Sequence, residues 1–317
     1  MRRSHRKLAL SIRRNWKNPF WYRKNLVRKA LIPLLFSQNP GVFVLKEKWD
    51  NLIILDACRY DVFEEAYRTE GLQGRLESRI SRGTETKFFL SENFRNRAML
   101  RDTVYVSANP VVSKLLSDKL FKVVPIWKDG WDPVEDTVLP EYVYERTLEA
   151  IEQYPDKRLI VHFLQPHRPF IGYANYNWWK TEIPNRRFAL TWGSMSEDGK
   201  SLLFSVSTED LMELYKRNLK LTLPYVRRLL DVLPGTTVVT GDHGEAFGER
   251  IHPLLPFSVY GHPGRVRIDA LTRVPWFVAE SRTKKIIRSE PEIHSTEHLP
   301  KEDEDLINER LSALGYI

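Results

Sequence analysis

From Asn51 onward, undivided apolar runs of strand length alternate with amphipathic stretches. NLIILDA at 51–57, DTVYVSANP at 102–110, RLIVHFLQ at 158–165, TTVVTG at 236–241 and RVPWFVAE at 273–280 each read as a strand. Between them, RYDVFEEAYRTEG, VVSKLLSDKLF and PEYVYERTLEAIEQYP read as helices. The stretch at 211–233 puts Leu211, Leu214, Tyr215, Asn218, Thr222, Tyr225, Val226 and Leu229 along one helical face, and NERLSALGYI predicts a closing helix. Strands of this undivided kind, alternating with helices, predict a largely parallel sheet covered on both sides, an α/β/α sandwich of three layers. Such sheets bind ligands beyond the carboxyl ends of their strands. Residues 171–206, rich in Trp, Asn, Gly and Ser, read as an irregular insertion.

Charge divides the chain. The net charge is +8, yet residues 1–44 hold eleven Lys or Arg and no acid, leaving 38 bases against 41 acids in the rest. The organisation expected is therefore a basic aromatic arm, 1–44, ahead of a catalytic domain, 45–317. Trp16, Phe20, Trp21 and Tyr22 among the bases suit an anionic membrane surface, reached through residues 1–36. A nucleic-acid backbone is the lesser reading, and a solvated helix lying on its own domain the plain one. The longest apolar run of the arm, Ala30 to Phe36, is short of the ~20 residues that a span needs, and no small-residue cleavage site follows it. One cysteine, Cys58, excludes an internal disulfide and points to a reducing compartment. The expectation is a cytoplasmic protein, peripheral on the inner membrane face.

Polar residues gather where the strands end. LIIL runs into Asp56, IVHFLQ holds His162 and runs into Pro166-His167, and TVVT runs into Gly241-Asp242-His243-Gly244-Glu245. Tyr260-Gly261-His262-Pro263-Gly264 precedes the last strand. Singly, these are helix caps, a core histidine and loop histidines. Together at one sheet edge they offer the O and N donors that Zn²⁺ or Mn²⁺ accepts, with Mg²⁺ or Ca²⁺ as the other divalent options. Between the first two expected strands, Gly83-Thr84-Glu85-Thr86 precedes FFLSENF, so Thr84 either caps a helix or exposes its hydroxyl to a metal. Arg82 and Lys87 stand beside it to neutralise an anion. Arg59 and His162 complete the candidates for substrate contact.

These residues, in this order, resemble the alkaline phosphatase superfamily, its sulfatase-like branch in particular. LDACRYD is similar to the opening metal-ligand strand, HFLQPHRPF to the central histidine segment, TGDHGEAFGE to the most diagnostic motif and RLSALGYI to the chain end. The resemblance spans about residues 48–317 and implies an alkaline phosphatase-like fold and an ester-acting, metal-dependent enzyme. It implies that Asp56, Asp242, His243 and Thr84 hold a divalent ion, that Thr84 is the nucleophile, and that His167 and His262 lie opposite as catalytic groups. Thr84, Phe89 and Asn93 are spaced as in lipoteichoic-acid synthases and phosphoethanolamine transferases, with Thr86 the alternative nucleophile. The substrate expected is a phosphodiester or a lipid- or glycan-linked phosphate. A sulfate ester is the runner-up and a non-catalytic adaptor the third reading. No C/S-x-P-x-R segment is present to yield formylglycine, and Asp56 is followed by Ala57 rather than by a second aspartate, which weakens the case for calcium.

Overall fold

The computed structural model describes residues 32–36, 40–94, 100–173, 189–191, 207–255, 257–290 and 301–314. The arm as far as residue 31 and most of the 171–206 insertion lie outside the described residues.

Twelve strands follow in chain order: β1 Asn51–Asp56, β2 Arg75–Ile80, β3 Leu100–Ser107, β4 Leu120–Val124, β5 Trp131–Asp132, β6 Thr137–Val138, β7 Arg158–Pro166, β8 Ala189–Thr191, β9 Thr236–Gly241, β10 Ala246–Arg250, β11 Ser258–Gly261 and β12 Arg273–Glu280. The principal helices are α1 Tyr60–Thr69, α2 Thr86–Phe94, α3 Pro110–Leu116, α4 Pro140–Gln153, α5 Thr208–Val232 and α6 Lys301–Ala313. Seven strands form one sheet in the order β2-β12-β9-β1-β7-β3-β4. β12 runs antiparallel to both its neighbours, and the remaining pairs are parallel. One helix group, α1, α4 and α5, and another, α2, α3 and α6, flank this sheet, so the fold is the α/β sandwich that the alternation predicts.

The order puts the most apolar strand in the middle. Every residue of β1 is buried, and Leu52, Ile53, Ile54 and Leu55 have no exposure at all. Each neighbour of β1 is nearly as apolar, because a central parallel strand meets side chains on both faces. Truncating one of these residues to Ala leaves a cavity costing ~2–5 kcal/mol.

Two strands of the seven-stranded sheet differ from the sequence reading. β2, RLESRI, has too many charges to read as a strand, and β4, LFKVV, begins within the last two residues of the expected helix VVSKLLSDKLF. Both lie at the margins of the sheet, where one side needs no apolar cover. Immediately after the GDHGE turn, β10 and β11 form a hairpin that β8 extends into a small three-stranded sheet. α6 starts at Lys301, earlier than the closing stretch predicts.

Candidate active site

The carboxyl ends of three adjacent strands, β9, β1 and β7, deliver Asp242-His243, Asp56 and His167 to one edge. Local backbone chemistry turns them inward. Ala57 takes a left-handed φ of 60° directly after Asp56. Its N–H donates to Asp242 Oδ1 at 3.0 Å, and its carbonyl accepts from the buried Tyr215 hydroxyl at 2.6 Å. The glycines around Asp242-His243 serve close approach. A Cβ on Gly241 would stand 2.5 Å from the Cys58 carbonyl oxygen, and one on Gly244 would stand 2.1 Å from that of Ala270.

Asp56, Thr86, Asn109, His162, Asp242 and His243 are all fully buried. His243 Nε2 lies 3.5 Å from Asp56 Oδ1 and 3.4 Å from Asp242 Oδ2. Thr86 Oγ1 lies 3.4 Å from both Asp56 oxygens and 3.4 Å from His243 Nε2. Such separations are too long for good hydrogen bonds. They match the spacing of ligands round a tetrahedral ion, since two atoms each ~2.1 Å from the centre stand about 3.4 Å apart. Asp242 Oδ2 and His162 Nε2 are buried with no hydrogen-bond partner among the described residues. Two carboxylates without water carry a penalty of several kcal/mol each, and a cation between them offsets it. The same field acts on His243. Burial pulls its pKa down, but the Asp242 and Asp56 carboxylates outweigh burial and raise it above the usual imidazole value. The donor set of two carboxylates, an imidazole and a hydroxyl fits Zn²⁺ or Mn²⁺.

Facing this group are His262, its ring 4.7 Å from that of His243, and His167, 5.0 Å from His262. Ligand atoms of His167, Glu245 and His262 lie within 4.8 Å of one another. Each imidazole has its Nδ1 on an oxygen: His243 on the Gly244 carbonyl at 2.9 Å, His167 on the Arg168 carbonyl at 2.5 Å, His262 on Glu245 Oε2 at 2.7 Å. Those acceptors put the proton on Nδ1 and leave Nε2 as the reactive nitrogen. Burial, then neighbouring imidazole charge, holds both His167 and His262 well below the usual range, so both are neutral at pH 7. Asn218 of α5 ties the His167 loop down, donating from Nδ2 to the His167 carbonyl at 3.0 Å and accepting from the Ile171 N–H at 3.2 Å.

Other expected site residues fall elsewhere. Thr84 is buried, but its hydroxyl accepts from the Arg265 N–H at 2.8 Å, and Thr86, the first residue of α2, takes the place among the carboxylates. Arg82 lies over the Phe43 ring at 3.9 Å and donates to the Gly41 carbonyl at 2.8 Å and to Glu92 at 3.2 Å. Arg59, expected to touch substrate, is instead a structural tie. It forks onto Asp61 at 2.9 and 2.7 Å, and its remaining arm holds Glu249 and the Glu245 carbonyl. Lys87 is exposed. Cys58 is buried, and burial pushes its thiol well above the usual range, as suits an inert packing residue.

Sequence reasoning did not single out Asn109 or the pairing of Glu245, which the structure brings to this edge. Asn109 Nδ2 donates to Asp56 Oδ2 at 2.7 Å while its Oδ1 accepts from the Val111 N–H at 2.9 Å. Glu245 was visible in the motif, but only its pairing with His262, seventeen residues on, shows its use.

The sequence matches no protein-family model and no curated protein. Among solved structures it is similar to the C-terminal periplasmic domain of phosphoethanolamine transferase EptC from Campylobacter jejuni, at 16% identity and a TM-score of 0.47 over 72% of this chain and 77% of that one. It is similar to the lipoteichoic acid synthase LtaP from Listeria monocytogenes, at 12% identity and a TM-score of 0.44 over 80% and 72%. A putative sulfatase from Bacteroides thetaiotaomicron matches at 13% identity and a TM-score of 0.45 over 84% and 70%. The cytoplasmic placement expected from the sequence is corrected: the EptC domain to which the chain is similar is periplasmic. Among the described residues no helix is long and apolar enough to cross a membrane.

Proposed function

We propose that the chain is a metal-dependent phosphoester hydrolase or phosphotransferase with Thr86 as nucleophile, acting on a phosphodiester or on a lipid- or glycan-linked phosphate. The observation that carries this reading is the 3.4 Å spacing of Thr86 Oγ1 from both Asp56 oxygens and from His243 Nε2, at the first residue of a helix. Asp56, Asp242, His243 and Thr86 would hold a divalent ion, most simply Zn²⁺ or Mn²⁺. An ion held there would lower the pKa of the Thr86 hydroxyl and offset charge building on the phosphate.

Thr86 Oγ1 attacks phosphorus, the ester oxygen departs, and the chain carries a phosphothreonine until water or an acceptor hydroxyl resolves it. The positive end of the α2 dipole would favour the phosphoryl oxygens. Neutral His167 and His262 are proton acceptors at Nε2, which suits them to take the proton of the resolving water or acceptor. Glu245 stabilises the charge that results on His262, and the His262 so protonated can protonate the next leaving oxygen. The basic arm is proposed to bring residues 1–36 to an anionic membrane surface. Deleting residues 1–40 should then abolish sedimentation with anionic liposomes, and unchanged partitioning would sink that part.

The test is turnover of bis(p-nitrophenyl) phosphate, p-nitrophenyl phosphate and p-nitrophenyl sulfate after loading with Mn²⁺ or Zn²⁺. Metal-dependent phosphate cleavage that Thr86→Ala abolishes and Thr84→Ala retains is the expected result. Wild-type rates in Thr86→Ala would overturn the nucleophile. Cleavage confined to the sulfate would replace the reaction.

A further inference from the structure

His162 does not behave as a core histidine. It lies mid-strand in β7, in register with Ile54 of β1 and Ser107 of β3, and Ile54 in turn is in register with Thr240 of β9. The β1–β7 register shifts after Leu55, bringing Asp56 level with Pro166, and the Asp56 carboxylate still reaches the His162 ring. His162 is fully buried, with Nε2 aimed at Asp56 Oδ2 from 3.8 Å. Nε2 and oxygens of Asp56 and Asp242 all lie within 4.8 Å of one another. A histidine kept only for packing satisfies its buried nitrogens. Here Nε2 has no hydrogen-bond partner among the described residues, and the near oxygen of Asp56 already accepts from Asn109 at 2.7 Å.

The other ring nitrogen is held. Tyr105, fully buried on β3, places its hydroxyl 3.0 Å from His162 Nδ1. His243, His167 and His262 likewise have Nδ1 against an oxygen. If the Tyr105 oxygen accepts from Nδ1–H, the Nε2 lone pair faces the carboxylates, as a metal ligand requires.

We propose that His162 is a further ligand to the ion held by Asp56, Asp242, His243 and Thr86, through Nε2, and that Tyr105 is the positioning residue that selects its tautomer. The inference rests on the metal reading above. His162 would offer that ion a fifth protein donor and leave less room for water beside Thr86.

The experiment uses the full chain labelled with ¹⁵N-histidine and titrated with Zn²⁺ alone, followed by Co²⁺ absorption spectra of the wild type and variants. One ion per chain should bind, shifting the Nε2 resonances of His162 and His243 together. His162→Gln should change the Co²⁺ bands and weaken binding. Tyr105→Phe, which removes only a hydroxyl, should weaken binding ~10–100-fold with the thermal midpoint of the metal-free protein little changed. A His162 resonance that stays put while Asp242→Asn abolishes binding would overturn the proposal and leave the metal reading standing. Absence of binding in the wild type would overturn both. The titration reads the wild-type chain, so it decides even if His162→Gln does not fold.

Discussion

Thr84 and Thr86 are both buried and two residues apart, and the start of α2 separates their roles. Glu85 begins the helix, its carbonyl accepting from the Phe88 and Phe89 N–H groups, and Thr86 is the first residue within it. That position faces the carboxylates, while Thr84 turns toward Arg265. Thr86→Ser should retain measurable turnover, because the oxygen survives and only a methyl is lost, whereas Thr86→Ala should lose at least ~10³-fold in kcat. Single-turnover kinetics with bis(p-nitrophenyl) phosphate, with trapping of phosphothreonine, would check both. Ala57 offers a second residue-scale test. A left-handed alanine costs ~1–2 kcal/mol, so Ala57→Gly should raise the urea midpoint unless the backbone freedom of Gly in the unfolded chain cancels the gain. That Asp56, Asp242 and His243 meet at one sheet edge was legible in the sequence, because motif order and strand ends both pointed to it. The choice between two threonines was not legible, since it turns on where a helix starts, and helix boundaries are set by local hydrogen bonds that no residue pattern displays.

Among elements, the central strands were readable and the outer ones were not. β1, β7 and β9 announce themselves because burial on both faces demands apolar residues throughout, while RLESRI and LFKVV meet no such demand at the sheet margins. The side of α5 facing the sheet was readable from its period, including Asn218. Its purpose was not, because its partners are the backbone groups of the distant 166–171 loop. Replacing Asn218 by Leu should destabilise the protein by ~1–3 kcal/mol, the cost of leaving those groups without a partner, and should lower kcat as His167 loosens. Differential scanning calorimetry beside steady-state kinetics reads both. At the opposite end of β1, Lys285 donates to Asn51 Oδ1 at 2.7 Å, and burial lowers its pKa from 10.5 to about 8. Folding therefore expels a proton between those two values. Stability should rise with pH from about 8 to 10.5, by at most about 3 kcal/mol, and urea midpoints of Lys285→Ala should not show that rise.

For the molecule as a whole, the two buried carboxylates work against folding until a cation joins them. A ligand at 100 times its Kd adds about 2.7 kcal/mol of stability, so excess chelator should lower the thermal midpoint by several degrees. Asp242→Asn should abolish that response. It should also leave the metal-free protein more stable than the metal-free wild type, because an amide oxygen can still accept from Ala57 and His243 while a buried charge is gone. Thermal scans with and without chelator test both halves.

β1 also bears on how the chain is made. Its first residue pairs with Leu159 on one side and with Thr237 on the other, and the residues of the site extend from position 56 to position 262. A chain emerging from the ribosome presents the most apolar strand of the sheet long before the second of its neighbours exists. Until β9 has been synthesised, that strand has one open edge and Asp56 has no partner carboxylate. The interval between them is the period in which this chain most needs shielding from its neighbours, and ion capture cannot assist it, because the ligands that would hold the ion arrive last.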